Sequence, residues 1–185
     1  MNYIDHTTAP ETLTKLLLEK GYLQEKEHII ALEKPGEGNM NVVLRAKTNI
    51  RSLILKQSRP FVQKYQQIDA PLHRIAVEHQ FYQALKNKSL RQNIPAILGY
   101  DEIDHLLVLE DLGHCEDMSS MYVSKHVSKD QLLRLTAILT AIHESEVPPN
   151  FPENMEMRQL NHQHIFVLPF LEDNGFQLND IQEGL

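Results

Sequence analysis

The chain has 185 residues, 42% of them hydrophobic and 23% charged, with a formal net charge of −7. That length and composition belong to a folded chain of one domain or two small lobes rather than to a disordered one. The acidic balance, with no basic block, argues against nucleic acid as main partner, although backbone N–H groups and one or two cations suffice to hold a phosphate locally.

In chain order, TAPETLTKLLLEKG reads as a first helix. Thr8 and Glu11 fit a capping box, Pro10 suits the first turn and Gly21 the stop, while Leu13, Leu16 and Leu17 supply an apolar stripe. The period then changes. HIIALEK (28–34), NVVLRAK (41–47) and RSLILKQ (51–57) are short, apolar or β-branched runs, and Thr48-Asn49 offers a tight turn, which predicts a three-stranded antiparallel meander. Residues 58–70 are polar and read as irregular. APLHRIAVEHQFYQALKNK returns to helical spacing, with Glu78 on the face that carries Ile75, Tyr82 and Leu85; an acid on an apolar stripe needs a partner. PAILGYDEI and HLLVLED predict two further strands turning at Asp104.

After Asp111 the sequence becomes polar and linker-like, with room for one helical turn. SKDQLLRLTAILTAIHE then predicts a strong helix opened by a Ser128–Gln131 capping box. Its apolar residues Leu132, Leu133, Leu135, Ile138, Leu139 and Ile142 cover more than about half of the circumference, so the helix calls for neighbours on several sides. Past Pro148-Pro149 the chain reads as loop to about residue 163, then as the short apolar run HIFVLPF and a turn into a new helix at NGFQLNDIQEGL. The N-terminal MNYIDHTTAP lacks the regions of a signal peptide, and no apolar run nears the roughly 20 residues that span a bilayer, so a cytoplasmic location is expected.

Three features carry chemistry. Gly36 and Gly38 stand between two strands, where Gly-x-Gly lets a backbone approach a phosphate closely; the same pair also suits the entrance to a surface hairpin. No Gly-Lys-Ser/Thr follows, and a strand follows where a dinucleotide fingerprint needs a helix. Lys56 ends the third strand on the face of Ile54 and Ser52, and Glu78 lies on the next helix. Cys115, the only cysteine, excludes a disulfide framework and reads as a small, partly buried side chain; His162 and His164 form a poor metal pattern, and His143 complements its helix dipole.

Glycine loop, strand lysine, helix glutamate is the order in which protein-kinase-like folds build a nucleotide site. The segments GEGNMNVVLRA, SLILKQSRPFVQKY, RIAVEHQFYQAL, LLVLEDLG, LTAILTAIHES and MRQLNHQHIFVLPF together resemble the aminoglycoside phosphotransferase/choline kinase superfamily, most of all its methylthioribose-kinase-like members. The resemblance implies an α+β fold: a protein-kinase-like N-lobe over 1–111, with a five-stranded antiparallel sheet plus helices, a hinge or linker over 112–127, and the beginning of a mainly helical C-lobe over 128–185. It implies ATP at Gly36, Gly38, Asn39, Asn41, Lys56 and Glu78, with the backbone of Glu110 and Leu112 at the adenine edge and Leu44, Ile54 and Leu109 as apolar walls. Asp111-Leu112-Gly113 imitates a metal-binding Asp-Phe-Gly, but its place directly after the fifth strand is the hinge. The family also uses Mg2+ and a His-Gly-Asp catalytic loop, and no His-Gly-Asp occurs here. The expectation is therefore the ATP-binding portion of a small-molecule kinase, truncated and inactive alone, with no catalytic or metal-binding residue of its own. The alternative is a non-catalytic nucleotide-binding or interaction module completed by a partner. Association is expected through the apolar surface of 128–144.

Overall fold

The computed structural model describes residues 2–36, 38–113, 115 and 118–173, without the side chains of residues 88 and 89. Helix α1 (Pro10–Glu19) carries proline at its first position, where the missing N–H is no loss. It stops at Gly21, which takes φ +73°, while the N–H groups of Gly21 and Tyr22 return to the carbonyls of Leu18 and Leu17. The start differs from expectation. Ala9 is the N-cap without a side-chain cap, and Thr8 Oγ1 accepts the Asp5 N–H at 2.9 Å instead, so the Thr8–Glu11 box does not form.

Strands β1 (Ile29–Glu33), β2 (Val42–Thr48) and β3 (Ser52–Gln57) make the predicted antiparallel meander. The polar stretch that follows is not irregular: β4 (Phe61–Val62) and β5 (Tyr65–Asp69) pair as a small separate hairpin. Helix α2 (Arg74–Ala84) is shorter than its pattern, because the chain breaks at Leu85 and resumes as α3 (Lys88–Arg91). Leu85 and Leu90 are both buried, whereas five residues apart on one helix they would face about 140° away from each other. Strands β6 (Ile97–Asp101) and β7 (Leu106–Glu110) complete a five-stranded antiparallel sheet of order β1-β2-β3-β7-β6, so the fold is α+β as expected and compatible with a kinase-like N-lobe.

Period-2 alternation gives the sheet two different faces. Leu44, Ala46, Leu53, Leu55, Leu106 and Val108 point toward Leu13 and Leu17 of α1. Fully burying each of those two leucines contributes about 2 kcal/mol. Ile54, Leu107 and Leu109 point the other way, toward Ile75 and Tyr82 of α2. Central β7 is buried on both faces, which is why its core reads as the unbroken run LLVL.

Beyond the sheet come α4 (Ser120–Ser124), α5 (Lys129–His143) and α6 (Met155–His162), the last running on through Gln163–Val167 and a 3-10 turn at Leu168–Phe170. The Ser128–Gln131 capping box forms, with bonds of 3.2 and 3.0 Å. Helix α6 occupies a stretch expected to be loop, and the helix expected beyond residue 173 lies outside the described residues. Leu132, Leu133, Leu135 and Leu139 of α5 are exposed. Among the described residues no helix is long and apolar enough to cross a membrane.

Polar ties hold the periphery. Lys20 Nζ meets Asp101 at 2.5 Å and Asp104 at 2.9 Å, and Asp104 also accepts the Asn2 N–H. The Gln57 amide, fully buried, bonds Asn2 O, Asp104 O and the Ile4 N–H. Burial alone would raise the Glu27 carboxyl, but bonds from Arg51, the Gln24 N–H and the Thr48 hydroxyl hold it below the usual range. Asp104 is likewise lowered against its burial, by Lys20 and Asn2.

Two outcomes follow from this packing. A Cβ on Gly99 would collide with the ring of Tyr22, so Gly99→Ala lowers stability by about 2 kcal/mol in urea unfolding. Because the folded pKa values of Glu27 and Asp104 lie below their unfolded ones, their contribution is full above about pH 5 and is lost as pH falls through the folded values. Urea midpoints measured at pH 7 and pH 3 therefore drop, and the drop shrinks in Glu27→Gln/Asp104→Asn.

Candidate functional site

The loop between β1 and β2 carries Gly36, Gly38, Asn39 and Asn41. Gly38 is closely approached: a Cβ there would lie a tight 3.0 Å from the Asn41 carbonyl oxygen and 3.5 Å from Val43 Cγ2, whereas Gly36 faces open space. The Asn39 carbonyl accepts the Lys64 N–H at 3.0 Å, so the turn of the β4–β5 hairpin props the loop from outside. Asn41 is buried, and its side-chain oxygen takes bonds from Arg74 Nε at 2.8 Å and Ser58 Oγ at 3.3 Å. That oxygen therefore serves the frame of the loop.

Arg74, at the first position of α2, is the residue that sequence reasoning missed. Its guanidinium also reaches Arg59 O and Pro71 O at 2.7 Å, Met40 O at 2.6 Å and Phe61 O at 3.4 Å. Burial pushes it down to about 10, so it stays charged at neutral pH. An arginine at a helix start gives no signal of this, since its acceptors are carbonyls scattered along the chain.

Lys56 stands opposite Val43 in the β2–β3 register, and cross-strand partners share a face. The lysine thus lies under the exit of the glycine loop, on the α2 side. Its Nζ meets Glu78 Oε1 at 2.7 Å, with about a quarter of each side chain exposed. The fully buried Ile75, three residues earlier on α2, fixes the helix rotation that brings Glu78 inward. Ile54 and Leu109, partners in the β3–β7 register, line the same face. Leu44 does not: it pairs with Leu55 and packs toward α1, so the β2 residue on the Lys56 face is Val43. A cavity of about 540 Å³ beside the loop, touching Leu32, Val42 and Leu44, also belongs largely to the α1 side.

At the far end of β7 the Glu110 N–H bonds Ala96 O at 2.9 Å, and its carboxylate takes the Ala96 N–H at 3.0 Å. Leu112 is exposed. Between them Asp111 is fully engaged: Arg45 Nε and Nη2 donate to it at 2.7 and 3.1 Å, and the Gly113 N–H at 3.0 Å. Its carboxylate holds Arg45 above the usual guanidinium range. Register places Lys56 opposite Leu107 and Leu53 opposite Glu110, so three strand residues, about 10 Å, separate the lysine from the end of β7. Cys115 is exposed rather than partly buried, its thiol 3.4 Å from Leu112 O. Among the described residues no group of three or more His, Cys, Asp and Glu side chains could hold a metal ion.

The sequence has distant counterparts. The chain is 26% identical over 103 residues to a methylthioribose kinase of Bacillus thuringiensis subsp. konkukian, a match covering 55% of this chain and 26% of that protein. Methylthioribose kinases of Bacillus cereus (strain AH820) and Bacillus anthracis match at the same identity and coverage. The similarity to methylthioribose kinase is distant. The matched region spans about a quarter of these relatives' length, and no family model matches the chain.

Arg74→Met removes the shared partner of five oxygens and leaves buried carbonyls unpaired, which lowers stability by about 3 kcal/mol, read as a shift in the urea midpoint.

Proposed function

We propose that this chain binds ATP between its five-stranded sheet and α2, as the nucleotide-binding portion of a kinase that phosphorylates a hydroxyl on a small molecule. The observation that carries the reading is the Lys56–Glu78 pair at 2.7 Å beneath the glycine loop. In this reading residues 1–111 form the nucleotide lobe, 112–127 the hinge and 128–185 the beginning of a helical lobe.

Each group then has a physical task. Glu78 holds the Lys56 ammonium still, so that its charge meets the α- and β-phosphates without a search among rotamers. The backbone of Gly36, Gly38, Asn39 and Asn41 closes over the phosphates, and Gly38 permits the close approach. Ile54 and Leu109 offer an apolar wall to the base, whose edge meets the backbone of Glu110 and Leu112. Phosphoryl transfer in this class uses Mg2+ to neutralise charge. Asp111 is taken by Arg45 and no other candidate cluster stands among the described residues, so no step here is assigned to the metal.

Isothermal titration of ATP, with and without Mg2+, tests the reading. Lys56→Ala weakens binding about tenfold or more, the value of one lost charge-assisted contact, and Glu78→Gln weakens it less. Undetectable binding by the wild-type chain at millimolar ATP overturns it.

A second reading, an interaction module completed by a partner, is favoured by the four exposed leucines of α5. It predicts concentration-dependent association in sedimentation velocity, reduced by Leu132→Glu/Leu139→Glu.

A further inference from the structure

The hinge contains an ion pair that neither the lysine nor the loop explains. Arg45 leaves β2 on the same face as Val43 and Lys56, two residues nearer the hinge, and reaches across to the segment after β7. It grips that segment in two places: both oxygens of Asp111 through Nε and Nη2, and the carbonyl of Gly113 through Nη2 at 3.2 Å. Gly113 takes φ +76°, a conformation that leaves its N–H on Asp111 and its carbonyl on Arg45. The Asp111 side chain is 6% exposed and that of Arg45 20%, so the pair is sheltered from water. One guanidinium, one carboxylate and one left-handed glycine thus fix residues 111–113 to strand β2. The Leu112 N–H, between the gripped residues, has no acceptor among the described residues.

We propose that Arg45 and Asp111 are positioning residues for the base of the bound nucleotide: they hold the hinge backbone so that Leu112 presents its N–H in a fixed direction. The pair acts through the backbone and touches no phosphate. Its role rests on the ATP-binding reading above and names what sets base recognition in that site. A lysine at position 45 keeps the charge but cannot span both carboxylate oxygens and a carbonyl with one rigid fork. Net charge separates a positioning role from an electrostatic one, because Arg45→Met/Asp111→Asn removes one cation and one anion together.

The test compares ATP with inorganic tripolyphosphate, which carries the phosphates without a base, by calorimetric titration of the full chain. Thermal unfolding establishes beforehand that each variant is folded. In Arg45→Met/Asp111→Asn the affinity for ATP falls about tenfold while that for tripolyphosphate stays within about twofold, and Arg45→Lys falls between wild type and the double variant for ATP alone. Equal losses for both ligands, or ATP affinity unchanged in the double variant, overturn the proposal and leave ATP binding standing. A wild-type chain that binds tripolyphosphate as tightly as ATP overturns the hinge role too, since no base contact then contributes. A wild-type chain that binds neither overturns both readings.

Discussion

A single buried guanidinium holds the glycine loop, the β4–β5 hairpin and helix α2 as one body. Arg74 bonds Met40 and Asn41 at the loop exit, Arg59 and Phe61 at the hairpin, and Pro71 at the turn before its own helix. Only arginine has five donors in a planar fork wide enough for such an array. Among the described residues no carboxylate bonds Arg74; carbonyl dipoles stabilise the charge, and burial brings the guanidinium down to about 10. Glu78 follows four residues later, about one helical turn along α2, so the position of the Lys56 partner is inherited from the Arg74 anchor.

The sheet then divides labour between its faces. The α1 side is aliphatic, and Gln57, Asp104 and Lys20 at its edge tie the N-terminal segment and the β6–β7 turn together. The α2 side mixes aliphatic residues with Arg45, Lys56 and Glu78. A strand pair with its register fixed by the short turn at residues 49–51 makes this division possible. A slip of one residue would carry Lys56 into the aliphatic core.

The sequence is legible wherever a residue's partners are near in the chain or its period is unbroken. The meander, the doubly buried LLVL strand, the Ser128 cap and the Gly21 stop all follow from local pattern. The Lys56–Glu78 meeting was legible too, because an acid on an apolar helix stripe demands a partner. The β4–β5 hairpin was not, since it faces solvent and shows no apolar alternation. Nor was the start of α6, where Asn154 adopts φ +53° and no side chain caps the helix. Leu44, which the resemblance implied as an apolar wall beside Ile54 and Leu109, lies on the other face, because parity across strands depends on a pairing register that no single strand contains. Arg45 and Arg74 escaped for the same reason in a stronger form: their partners lie 66 and up to 34 residues away.

Those two arginines solve opposite electrostatic problems. Every acceptor of the Arg74 guanidinium among the described residues is a neutral oxygen, so there its positive charge is balanced by dipoles rather than by an acid. After β7 the Arg45 charge is instead met by the Asp111 carboxylate. Lys56 and Glu78 meet in the same way, so the glutamate fixes the direction of the ammonium.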